Sequence, residues 1–268
     1  ILLATDMLIE NVHFDLSMMS HAQAGRKALA VNLSDIASMG GEATTALVSL
    51  AINQNATLDP VSQLMCGLSE LAEEYNVQIV GGDTTSHDGP LVINVAVTGV
   101  CHSKGPILRS GAREGDIVFV TGPLGGSLIK QHWSFTPRLA TARHLVGHYN
   151  IHAMIDLSDG LASDIRHVAK ASGVGCQIDA NSVPISDDVD STLSEEMRIK
   201  HALNDGEDYE LLFTVGATDA EKLRSQSEFE VYEIGVMTGQ PDELSLQQAD
   251  GNIVFIPDSG WKHRFGST

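Results

Sequence analysis

Acidic residues recur in this chain where strands are expected to stop. Asp6 follows the apolar Ile1 to Thr5, Asp83 follows Val77 to Gly82, and Asp156 and Asp159 close and follow Met154-Ile155. Asp35 lies on an expected helix, and Glu207 in a glycine-acid cluster ahead of the strand Leu211 to Val215. Oxygen ligands at the carboxyl ends of strands suit Mg²⁺, a hard cation that takes one or two carboxylates plus substrate phosphate. If these acids converge, charge decides the reading. Two bare carboxylates about 4 Å apart repel by roughly 4 kcal/mol at an effective dielectric near 20. Several together therefore need cations or protons. A divalent metal with glycine-rich turns and an arginine suits phosphoryl transfer, where catalysis is mostly positioning and charge neutralisation. Taken alone, Ser158 or Asp159 would read as a cap of the helix that follows. The recurrence of acids elsewhere favours ligation, and the two roles are compatible.

Gly81-Gly82 lets backbone N–H groups approach a phosphate, and Asp83, Thr84 and Thr85 supply metal or phosphate contacts. Asn32 and Asp35 share one helix face at i, i+3. Arg109, an exposed position by default, is also suited to clamp a triphosphate. Gly122 to Ser127 resembles a glycine-rich phosphate loop but matches neither common fingerprint. His144 and His148 fall at i, i+4 with no third zinc ligand in view, so a solvated pair is expected. No Ser-His-Asp or Cys-His arrangement is legible, and no covalent nucleophile is implied. An EF-hand is disfavoured, since His167 stands where the twelfth-position Glu belongs. Trp261 and Phe265 either pack the core or stack on a ring substrate.

These residues need a framework. The 268 residues are 43% hydrophobic, enough for one large or, more readily, two domains. The alternation of strands with helices, interrupted by hairpin-like strands, predicts an α+β protein with mixed sheets. Helices are expected from Ser20 to Met39, closed by Gly40-Gly41, from Asp59-Pro60 as N-cap and N1, over Pro137 to Tyr149, and from Leu161 to Gly173. The polar, Gly105-Pro106-containing segment places a boundary that gives domains 1–104 and 105–268. The acidic stretch Asp187 to Glu196 reads as solvated. A formal net charge of −19 argues against nucleic acid or an anionic membrane as main partner. Cys66, Cys101 and Cys176 are isolated, which fits a reducing cytoplasm. No apolar run reaches the roughly 20 residues that span a bilayer. Ile1 reads as part of a strand already under way, so more chain is expected before it.

Thr5-Asp6-Met7-Leu8 with His13-Phe14, Val31 to Gly40, Gly81-Gly82-Asp83-Thr84-Thr85, Ile155 to Leu161, and Gly206-Glu207-Asp208-Tyr209-Glu210-Leu211 together resemble the thiamine-monophosphate kinase family. That family lies within the superfamily of aminoimidazole-ribonucleotide synthetase. The resemblance implies ATP-dependent phosphorylation of thiamine monophosphate to thiamine diphosphate, by direct attack on the γ-phosphate. It implies Mg²⁺ ligation by Thr5, Asp6, Asp35, Asp83, Asp156 and Asp159. It implies ATP contacts from Gly82, Asp83, Arg109 and Ser158, and substrate contacts from His13, Glu207 and Trp261. Asp156 and Asp159 would be two corners of one metal-nucleotide site, with Asp6, Asp35 and Asp83 as the others. It further implies a homodimer whose N-terminal α/β domains form a barrel. A related enzyme with another acceptor and a non-catalytic nucleotide-binding relative are the alternatives. The chain departs from the family pattern in three places. A glycine-rich segment with paired Asp is expected before residue 1, Asn204-Asp205-Gly206 replaces a double glycine, and the interval Gly126 to Pro137 is short.

Overall fold

The structure, a computed structural model, describes residues 1–130, 132–225, 228–241 and 243–257. They form two compact units, Ile1–Pro106 with Trp133–Arg143, and Ile107–His132 with the chain from His144.

The first unit contains β1 (Leu2–Ile9), α1 (His21–Ser38), β2 (Gly41–Asn53), α2 (Leu58–Glu74), β3 (Gln78–His87) and β4 (Val92–Cys101). Its sheet has the order β1-β4-β2-β3, antiparallel except for β2 with β3. Leu2, Leu8, Ile93, Val95, Val97, Ala46 and Val48 alternate toward the helices and are buried, whereas Leu3, Met7, Leu47 and Val100 face the opposite, open side. Two strands run further than the sequence suggests. β1 continues through Asp6 to Ile9 and β3 through Asp83 to His87, because the ladder goes on pairing past both acids: Asp6 faces Val95 and Asp83 faces Ser49. Both acids thus sit inside strands, not at their ends.

Helix α1 begins with a reciprocal cap. The Gln23 N–H donates to Ser20 Oγ at 3.2 Å, and the Ser20 N–H to Gln23 Oε1 at 2.8 Å. Ser20→Ala should lower stability by about 1 kcal/mol, read as a shift in the urea midpoint at unchanged slope. The helix ends where expected, with Gly40 at φ 67° past the Met39 C-cap. Helix α2 starts earlier than expected. Thr57 is its N-cap and Asp59 lies within the first turn, where Pro60 is tolerated because its missing N–H has no intrahelical partner. The two helices cross at two glycines: a Cβ on Gly25 would lie 2.0 Å from Leu64 O, and one on Gly67 2.0 Å from Ala22 O.

The second unit follows with β5 (Ile117–Val120), α3 (Ser127–Lys130), the end of α4 (Leu139–His148), β6 (Ile151–Asp156), α5 (Leu161–Ser172), β7 (Gly175–Asp179), α6 (Glu195–Asn204), β8 (Leu211–Val215), α7 (Ala217–Ser225), β9 (Tyr232–Thr238), β10 (Leu244–Gln247) and β11 (Ile253–Phe255). Its sheet, ordered β11-β10-β7-β9-β5-β8-β6, is mixed, with β10 and β7 parallel and the other pairs antiparallel. The core packs Leu161, Ile165 and Val168 of α5 and Ala202 and Leu203 of α6 with Val118, Ile155, Ile178 and Leu212 of the sheet. Helix α5 closes on Gly173 in the left-handed conformation, φ 69°. The protein is α+β, two α/β units with mixed sheets. Among the described residues no helix is long and apolar enough to cross a membrane.

Candidate active site

In the second unit, β6 delivers Asp156 to its carboxyl end, buried at 5% exposure. The loop after it is laced to a segment fifty residues on. The Leu157 N–H donates to Glu210 O at 2.8 Å, the Tyr209 N–H to Leu157 O at 2.9 Å, and the Glu207 N–H to Ser158 O at 2.8 Å. That pairing places Glu207 and Tyr209 in the left-handed region, φ 55° and 51°, and brings Gly206 so near that a Cβ there would meet Ser158 O at 2.7 Å. Two motifs far apart in sequence therefore make one local structure.

Neither Ser158 nor Asp159 caps α5. The N-cap is Gly160, without a side-chain cap bond. Asp164, in the first turn, instead reaches back so that the Asp159 N–H donates to its Oδ2 at 3.1 Å. Burial above all, then repulsion from Asp159 and Asp156, pushes the Asp164 carboxyl up to about 8, against the Asp159 N–H and Arg109. Asp156, Asp159 and Arg109 thus all act on one buried carboxyl. One ligand atom each from Asp159, Asp164 and His167 lies within 4.8 Å of the others. The two carboxyl groups match the oxygen preference of Mg²⁺, and the repulsion that Asp159 and Asp156 exert on Asp164 is of the kind a divalent cation relieves, whereas an exposed imidazole is a poor ligand for it. Asp164 is not in the ligand set that the family resemblance implies.

In the first unit the structure joins Asp6 to Asp35. Burial raises the Asp6 carboxyl above its usual range, while a hydrogen bond with Asp35 and the neighbouring His13 pull it down. Two hydrogen-bonded carboxyl groups share a proton or a cation. His13 is close because its Nδ1 accepts from the Ile9 N–H at 3.0 Å. Beneath them lies Lys27, fully buried, whose Nζ donates to His13 O at 2.7 Å. Sequence reasoning missed this lysine. Its signal was a cation three residues after Ala24 and four before Val31, on the apolar stripe of α1.

Thr5 and Asp83 are not brought to that pair. The register aligns Asp6 with Val95, Val48 and Gly82, and Asp83 with Ser49, Asn94 and Met7, so Asp83 stands on the open face. Three strand spacings, about 14 Å, also separate β1 from β3, more than one Mg²⁺ can bridge. Thr5, on the same open face, bonds Val95 O and Asn94 Nδ2. Gly82 has a packing reason to be glycine, since a Cβ there would sit 1.7 Å from Val48 O.

The glycine loop after β5 is filled by the protein's own acids. The Gly125 N–H donates to Asp208 Oδ1 at 3.0 Å, the Gly126 N–H to Asp205 Oδ2 at 2.9 Å, and Ser127 Oγ to Asp208. It is an internal anion site rather than a phosphate loop. Burial pushes the Asp208 carboxyl to about 7, Ser127 and Gly125 opposing and Asp205 and Glu210 adding. Its folded value exceeds the unfolded one, so stability present at low pH is lost as pH rises from about 4 to about 7. Asp208→Asn, which keeps an acceptor for Gly125 and Ser127, should flatten that slope in urea unfolding across this range. His144 and His148 stack at 4.1 Å, His144 Nε2 lying 3.1 Å from Glu228, and do not converge as ligands. Trp261 lies outside the described residues.

Comparison with known proteins shows the family. Residues 1–101 match the family model for the AIR synthase related protein N-terminal domain, and residues 113–246 that for its C-terminal domain. The thiamine-monophosphate kinase of Rhodopirellula baltica is 39% identical over 223 residues, 82% of this chain and 70% of the relative. The chain belongs to the thiamine-monophosphate kinase family. The Bacillus subtilis thiamine-monophosphate kinase is 33% identical, covering 98% of this chain and 87% of its own. A solved structure described as AaThiL complexed with AMPPCP and TMP superposes with a TM-score of 0.84 at 32% identity, over 98% of this chain and 86% of that one. Of the acids singled out in the sequence, Asp6 and Asp35 meet in the first unit, Asp156 and Asp159 gather round Asp164 in the second, and Asp83 joins neither group.

Proposed function

We propose that this protein transfers the γ-phosphoryl group of ATP to thiamine monophosphate, giving thiamine diphosphate and ADP. The observation that carries the reading is its kinship with a kinase crystallised with an ATP analogue and TMP, in a chain that keeps clustered carboxylates in each unit. Asp6 with Asp35, and Asp156 with Asp159 and Asp164, would hold Mg²⁺. When bound, the ion supplies charge neutralisation for the phosphates. Arg109 and Ser158 serve the nucleotide. His13 and Glu207 serve the thiamine monophosphate, whose phosphate oxygen attacks the γ-phosphorus while the bond to the ADP oxygen breaks.

The working form is a homodimer through the open face of the first unit's sheet. Leu3, Met7, Leu47 and Val100 are 73%, 56%, 48% and 48% exposed there, an apolar row that a second copy would cover. Thr5 and Asp83 stand on that face as well, on the opposite side of the sheet from Asp6. The three free cysteines and an ATP-consuming reaction suit the cytoplasm.

Purified protein with ATP and Mg²⁺ should release ADP when thiamine monophosphate is added, far faster than with thiamine or other phosphorylated acceptors. ADP release that ignores the acceptor, or prefers another, would displace this reading.

A further inference from the structure

Glu207 has a backbone that fixes it in place and a side chain that needs separate control. Its left-handed φ of 55° and its N–H bond to Ser158 O pin the main chain beside the nucleotide loop. The carboxylate, 20% exposed, is then met by His132, whose Nδ1 lies 2.9 Å from Glu207 Oε2 and whose imidazole is 11% exposed. His132 is itself held, its N–H donating to Ser127 O at 3.0 Å. The Gly125 to His132 stretch grips the 205–208 segment at four points: Gly126 on Asp205, Gly125 and Ser127 on Asp208, and His132 on Glu207. An exposed ion pair would contribute little. This one is largely buried and joins two segments whose backbones are otherwise fixed, so its consequence is direction.

We propose that His132 is a positioning residue that aims the Glu207 carboxylate at the thiamine moiety of the substrate. The proposal rests on the kinase reading above. Because its partner is a carboxylate, Nδ1 donates.

The test is steady-state kinetics of the full chain with each substrate varied. His132→Ala should raise KM for thiamine monophosphate about tenfold, with kcat and KM for ATP within about twofold of the parent. His132→Gln, whose amide can donate to the same oxygen, should restore most of the loss. Glu207→Gln should raise the same KM, and adding His132→Ala to it should do no further harm, since the two act as one unit. Thermal unfolding of each variant checks that it is folded. An unchanged KM in His132→Ala, or equal changes in both KM values, overturns the assignment of His132 while leaving the kinase reading intact. A parent protein with no acceptor-dependent ADP release overturns the kinase reading, and this inference with it.

Discussion

Asp156→Asn should lower turnover at least about 1,000-fold while the protein remains folded, because removing one charge from the proposed Mg²⁺-binding cluster forfeits stabilisation at the moment charge develops. Asp156 is the last residue of β6, its backbone paired with Leu211 in the ladder, so the isosteric amide keeps strand and loop in place. What changes is charge. Asp156 is one of two carboxylates that raise Asp164, and its loss relieves repulsion in the metal-free protein. The variant should therefore be no less stable than the parent without Mg²⁺, while losing the stabilisation that Mg²⁺ and nucleotide give the parent. Thermal melts with and without Mg²⁺·AMPPCP, beside an ADP-release assay, measure both effects. Near-normal turnover would remove Asp156 from the metal cluster.

Gly25→Ala should strongly destabilise the first unit. The added Cβ would stand 2.0 Å from the backbone oxygen of Leu64, and a backbone cannot swing aside as a side chain can. Helices α1 and α2 would have to part, disturbing the packing of Leu29, Leu33, Leu68 and Leu71, all buried. Overpacking of this kind costs about 3 kcal/mol, which outweighs the roughly 1 kcal/mol that alanine gains over glycine in helix propensity. Urea unfolding should show a lower midpoint. A midpoint equal to the parent's would mean that the crossing is looser than described. The change also bears on function, because α1 carries Asp35, Lys27 and the stripe that holds them against β1.

Much of this was legible beforehand, and the exceptions share a cause. Asp156 ends its strand as read, and α1 and α5 stop at Gly40 and Gly173, since a left-handed glycine after a helix is a local signal. The extension of β1 and β3 through Asp6 and Asp83 was not legible. It depends on partners in β4 and β2 that keep the ladder going, and no local residue reports that. Helix α6 went unrecognised because only Ile199, Ala202 and Leu203 are buried along it, too narrow a stripe to show in an acidic sequence. The glycine loop was misleading for a related reason. Its N–H groups do bind anions, but these are Asp205 and Asp208, some eighty residues away. Lys27 and Asp164 stood in plain view on helices. Their roles follow from burial beside particular partners, which spacing alone does not reveal.

The proposed reaction transfers a phosphoryl group directly onto thiamine monophosphate. Phosphorus NMR of the complete reaction, with ATP, Mg²⁺ and thiamine monophosphate, measures it most directly. The account predicts that the monophosphate signal gives way to the two signals of thiamine diphosphate, in step with ADP, and that chelating the Mg²⁺ stops both. Loss of ATP signal with the monophosphate untouched, or phosphate retained on the protein, would contradict it.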